Sequence, residues 1–332
     1  MDSNVPKNTN SHNFFKFEVE REKLGISIKN LLKQELLLIL SLYQQRFYIQ
    51  IERKSIASIL KDKTSISNYK NQSDKHKNSI TSYSEIKFTP IVYSCPIGLL
   101  LAANPSYTPQ IMQRIGQLLI EREADLELSS VSVEIVPRGW INFYLDSKFI
   151  TTWLEQLLVW HQKEINDPAF TQEEYGLENT CANLFPVQYI HARCCSLLNL
   201  AECENLISLS ANSSWIVRST QTTFFWNEQN TLWLTNSAER NLLQQLLIVA
   251  DSWIEDISDR EARRGFDRHW TKLALNLTQA TAVFLADCRF LGEVRHKYPQ
   301  LAIARLGLIY LVQLWLQKIL NEKLCLAAPE SL

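Results

Sequence analysis

Apolar residues recur along this chain at two periods, and the change from one to the other divides it into elements. Ile28, Leu31, Leu32, Leu36, Ile39, Leu40 and Tyr43 fall three or four residues apart, and Ser27 stands where an N-cap belongs, so the first predicted element is an amphipathic helix. Thr108-Pro109 reads as a cap followed by proline at the first helical position. Ile111, Met112, Ile115, Leu118 and Leu119 then predict a helix from about Pro109 to Ala124. The period drops to two over Val131, Val133 and Ile135 and again over Trp140 to Leu145, with Pro137-Arg138-Gly139 between, which predicts a β-hairpin. Asp146 or Ser147 caps the next helix, whose Phe149, Ile150, Trp153, Leu154, Leu157 and Leu158 face one way.

Helical spacing returns over Val187 to Leu198, Arg240 to Ile257, Thr271 to Phe290 and Ala302 to Leu320; the last is apolar nearly all round and predicts a central helix. Trp215 to Thr235 departs from this, being β-branched and aromatic with Asn227 to Asn230 as a turn, and predicts a hairpin inserted between helices. Three polar stretches punctuate the pattern. Residues 1–14 are rich in Asn, Ser and Lys and read as a frayed tail. Residues at about 62–84 carry too little apolar surface to order themselves and read as a flexible insertion. Residues 161–183 are acidic, hold Asp167-Pro168 and Gly176, and read as a linker. The expected organisation is a small α/β domain over 15–160 joined to a helical domain over 184–332, mainly α in class.

Composition narrows the chemistry. Among 332 residues 46% are apolar, enough for ordinary packed cores. Only 8 are glycine, well below the usual share of about 7%, which argues against phosphate-cradling glycine loops. The 34 Lys and Arg against 35 Asp and Glu leave a net charge of −1, so nucleic-acid binding would need a local patch. Arg46 to Lys87, with nine basic residues against four acidic, is the strongest positive excess. The seven cysteines show no C-x-x-C spacing and read as reduced, mostly buried thiols of a cytoplasmic protein without metal or cofactor. Leu36 to Tyr43 and Leu306 to Leu320 are too short or too interrupted by Gln to span a bilayer, so no membrane partner is expected.

Three collinear segments carry a specific resemblance. Val131 to Leu158, with Trp140, Ile141, Asn142, Phe143 and Leu145 at its core, is similar to the hairpin and helix that end the N-terminal additional domain of arginyl-tRNA synthetases. Phe185 to Leu198 resembles the V-Q-Y-A-H-A-R-I-C-S-I-L helix that opens that family's DALR anticodon-binding domain. Phe284, Cys288, Arg289 and Leu291, followed by Arg305 to Leu332, look like its C-terminal end with the A-P-E tail. The resemblance implies a DALR-type helical bundle, and with it binding of tRNA, including arginine tRNA, or a related RNA. It leaves out the ATP- and arginine-activating core: only residues 161–183 stand in its place, and the six histidines form no H-x-G-H pair. The expectation is a non-enzyme.

Site candidates follow. In the family a loop near F-x-D-Y-Q-S-N meets the tRNA D-loop; the corresponding Thr89 to Pro96 keeps Tyr93 alone. Gln188, Tyr189 and His191 are placed at the domain junction, and Arg193 is either an RNA contact or a partner in interdomain hydrogen bonds. Arg260, Arg263, Arg264 and Arg268 lie at helical spacing suited to phosphates, although Asp256, Asp259, Glu261 and Asp267 interleave with them and a self-paired face is the alternative. The Trp215 to Trp233 hairpin could stack bases or hold a protein partner. The competing function is a protein-interaction or scaffold module that has kept the fold and lost the RNA.

Overall fold

The computed structural model describes residues 27–47, 65–68, 91–101, 106, 108–122, 131–136, 139–165, 184–209, 215–216, 225, 232–258 and 266–332. The elements are mostly helical, with one small sheet in the first half. Helix α1 (Ile28–Phe47) starts where Ser27 Oγ accepts the Asn30 N–H at 3.1 Å, the capping bond expected of a serine there. Its buried stripe is Ile28, Leu32, Leu36, Ile39, Leu40 and Tyr43. Strands β1 (Ser65–Asn68) and β2 (Ile91–Cys95) precede the short α2 (Ile97–Leu101) and α3 (Thr108–Arg122). Then come β3 (Val131–Val136), β4 (Trp140–Leu145) and α4 (Ser147–Ile165). The sheet is antiparallel in the order β1-β2-β4-β3.

The hairpin pairs Val131 with Leu145 through Val136 with Trp140, as its alternation predicts, and Gly139 turns at φ 95°. Gly139 also takes the Gly98 N–H on its carbonyl at 2.9 Å. A Cβ added to Gly98 would sit 2.8 Å from the Gly139 Cα and 2.3 Å from the Met112 sulfur. Gly98→Ala is therefore expected to cost about 1–3 kcal/mol by forcing turn and helix apart, measurable by urea unfolding.

Two expectations need correction here. Ser65–Asn68, inside the insertion expected at 62–84, is an edge strand on β2, because backbone pairing needs no apolar side chains. The rest of 62–84, and the tail at 1–14, lie outside the described residues. The predicted linker also starts too early. Asp146 Oδ1 accepts the Phe149 N–H at 2.7 Å and starts α4, which continues through His161 to Ile165. His161 is buried rather than solvated.

The second half comprises α5 (Phe185–Cys203), α6 (Ser237–Ser258), α7 (Phe266–Asp287), the short α8 (Glu293–Lys297) and α9 (Pro299–Lys318). A π-helical turn at Ile319–Lys323 follows α9. Helix α6 opens with a capping box: Asn236 Oδ1 accepts the Ala238 N–H and Glu239 Oε2 accepts the Asn236 N–H, both at 2.8 Å. Helix α9 lies centrally, packed against α5, α6 and α7. With the turn after it, it is long and apolar enough to cross a membrane, and most of it is buried among the other helices.

Of the expected hairpin over Trp215 to Thr235, one backbone bond across Asn227 to Asn230 is described: the Trp233 N–H donates to the Phe225 carbonyl at 3.0 Å, as that turn requires. Trp215–Ile216 (β6) also pairs with Ser208–Leu209 (β5), a partner the expectation did not include. Residues 217–224 and 226–231 lie outside the described residues. Both halves share one apolar core, joined where α1 packs on α6 and where Trp160 of α4 stacks on Trp315 of α9.

Candidate nucleic-acid interface

Helix α5 buries one face and displays another. Val187, Ile190, Ala192, Cys194, Leu197, Leu198 and Ala201 pack inward. Phe185, Tyr189 and Arg193, each four residues apart and so stacked on one helical stripe, point outward. Phe185 is 58% exposed and Tyr189 50% exposed, and their rings stand 6.3 Å apart at 27° in a stacked arrangement. Arg193 continues the stripe one turn on, exposed and without an ion pair among the described residues. Leu200 extends it two turns further. Two solvated aromatic faces in line with a guanidinium offer stacking and a charge for an anion on the same surface.

The neighbouring face of α5 is occupied. Gln188 Nε2 donates to the Ala327 carbonyl at 2.9 Å and His191 Nδ1 to the Pro329 carbonyl at 2.8 Å. With Nδ1 donating, His191 Nε2 accepts from Gln313 Nε2 at 3.2 Å. This is the neutral tautomer, and burial holds the His191 pKa below its ordinary value. The Cys195 thiol lies 3.9 Å from His191 Nε2, but that nitrogen is engaged and burial pushes the thiol up to about 11. The pair therefore lacks the thiolate that nucleophilic chemistry needs.

Placed against the candidates, the structure rearranges their roles. Tyr93 is fully buried on β2 and gives its hydroxyl to Asp251 Oδ2 at 2.8 Å, so it cannot meet RNA. Gln188 and His191 tie α5 to the C-terminal segment and α9, not to the first half, because their side of the helix faces residues 313–330. Tyr189 is not a junction residue either: its ring is on the open stripe. Arg268 is exposed in the first turn of α7, which packs beside α5. Arg260, Arg263 and Arg264 lie outside the described residues. Asp256, one of the acidic residues that interleave with that basic set, binds Lys323 at 2.7 Å.

Sequence reasoning missed Phe185, although its spacing to Tyr189 and Arg193 was there to read. It also missed a buried aromatic cluster. Trp315 stacks on Trp160 at 5.6 Å and meets Trp253 edge-on at 5.5 Å, and Trp253 meets Trp270 at 5.4 Å. The π-helical turn brings Lys323 over Trp253 at 4.2 Å, while Lys318 lies 5.0 Å from the same ring. His161 meets the Trp315 ring edge-on at 4.8 Å, and burial, then Lys318, lowers its pKa to about 3. Trp253, Trp270 and Trp315 are core, and Trp160 packs half-buried against them. No group of acidic, histidine and cysteine side chains suited to a metal occurs among the described residues. Comparison with family models, curated proteins and solved structures finds no match to the chain.

Proposed function

We propose that this chain is a non-catalytic, arginyl-tRNA-synthetase-like protein that binds tRNA or a related RNA through its helical second half. The observation that carries the reading is the solvated Phe185–Tyr189 stack in line with Arg193, on the helix whose sequence resembles the start of a DALR anticodon-binding domain. Unpaired bases stack on such faces whatever their identity, and a nearby arginine holds the phosphate between them. Arg268 would add a backbone contact from α7. In this reading the protein acts in the cytoplasm, needs no cofactor, and does not activate arginine.

The test is a fluorescence-anisotropy titration of tRNA against the full chain at low and moderate salt. Tyr189→Ala and Phe185→Ala are each expected to weaken binding by about 1–3 kcal/mol, the worth of one base–aromatic stack. Arg193→Ala is expected to flatten the dependence of log K on log salt by about one unit. Binding that is absent, or unchanged in all three variants, contradicts the proposal. A scaffold role through the same stripe is favoured instead if RNA is ignored while Phe185→Ala abolishes capture of a protein partner, since stacked aromatics also anchor protein interfaces. Arginine-dependent exchange between ATP and pyrophosphate is expected to be nil, and a measurable rate overturns the non-enzyme reading.

A further inference from the structure

Where the two halves meet, one carboxylate collects three bonds from two elements. Asp251 of α6 is 5% exposed. Its Oδ1 accepts the Ser27 hydroxyl at 2.8 Å and the Lys29 N–H at 3.0 Å, both at the start of α1. Its Oδ2 accepts the Tyr93 hydroxyl of β2 at 2.8 Å. The charged groups around it are spoken for elsewhere. The Lys29 and Lys33 ammoniums of α1 both bind Glu255, one turn along α6, at 2.9 Å and 2.5 Å. Asp251 is thus a buried anion held by two hydroxyls and a backbone N–H, with no ammonium bonded to it; the Lys29 and Lys33 ammoniums are bonded to Glu255 and act on Asp251 only from a distance.

We infer that Asp251 and Tyr93 form a proton-binding joint between the two halves of the molecule, one that holds more firmly with the proton on than off. The exchange is balanced. On uptake, Oδ2 becomes a hydroxyl that donates to the Tyr93 oxygen, while Oδ1 keeps the Ser27 and Lys29 donors. What is given up is the donor role of the Tyr93 hydrogen. What is removed is a desolvated charge, which weighs more than one neutral hydrogen bond.

The titration of the pair runs the same way. Burial raises the Asp251 pKa to about 6, and burial followed by Asp251 itself pushes the Tyr93 hydroxyl well up. An acid whose pKa is raised by folding stabilises the fold below its ordinary range and loses that contribution as pH rises through about 6. His161 and His191 act oppositely, since folding depresses both and each loses stability as pH falls. Total stability against pH therefore mixes the two signs, and the joint is read from a difference.

The experiment compares thermal unfolding of the wild-type chain and Asp251→Asn from about pH 4.5 to about pH 8, alongside a carbon-13 NMR titration of the Asp251 carboxyl in the wild type. The amide keeps the geometry without the charge. The variant is expected to melt a few degrees higher at about pH 8, an advantage that disappears below about pH 5. In the wild type the Asp251 carboxyl carbon is expected to titrate near 6, and higher in Tyr93→Phe, where the anion loses a donor. A difference that is constant or grows towards acid, or a carboxyl that titrates in the ordinary aspartate range, overturns the inference. The NMR arm needs no variant, so a failure of Asp251→Asn to fold leaves the proposal open to refutation.

Discussion

Glu239→Ala is expected to destabilise the protein by about 3–5 kcal/mol, the cost of leaving one member of a buried ion pair without the other. Glu239 is 1% exposed at the start of α6. Its Oε1 takes the Arg305 Nε–H at 2.6 Å, and its Oε2 closes the capping box on Asn236. Arg305 also donates to the Arg289 carbonyl beyond the end of α7. The Glu239–Arg305 pair therefore ties α6, α9 and the α7–α8 connection. Truncating Glu239 leaves the mostly buried guanidinium without its carboxylate and frees an orphan N–H at a helix start. Chemical denaturation should show the loss as a fall in midpoint, with Glu239→Gln retaining part of the bonding and losing less. A loss within about 0.5 kcal/mol, the ordinary range for surface changes, would mean that the pair is not the clamp its burial implies.

Trp315→Ala is the second large effect, expected at about 3–5 kcal/mol from lost burial and the cavity left behind. The ring is fully buried and touches Trp160, His161 and Trp253 at once, so it fastens α4 of the first half to α6 and α9 of the second. Aromatic geometry adds about 0.5–1.5 kcal/mol per pair beyond area. Trp315→Phe keeps a ring in the slot and should lose less than half as much. Near-UV circular dichroism, which reports the fixed tryptophan cluster, should collapse in the alanine variant and persist in the phenylalanine one.

Much of this architecture was legible in the chain because its cause is local. The helices follow the apolar spacing, and the hairpin register follows the alternation from Val131 to Leu145 and the glycine at its turn. The Ser27 and Asp146 caps are set by side chains within three residues of the groups they satisfy. What escaped was non-local. Nothing in S-I-S-N announces a strand until β2 lies beside it. Tyr93 looks like a surface aromatic until Asp251, 158 positions away, claims its hydroxyl. Helix periodicity identified α5 but did not say which polar positions the C-terminal segment would cover. Gln188 and His191 turned out to be bound and Tyr189 open.

The measurement that bears most directly on the account places a fluorescent base analogue in an unpaired loop of the bound RNA and follows its emission as the protein is added. Stacking on the Phe185–Tyr189 pair predicts quenching at saturation that is lost in Tyr189→Ala while the variant remains folded. Saturating binding with unchanged emission, or equal quenching in the variant, would show that the RNA does not rest on this stripe.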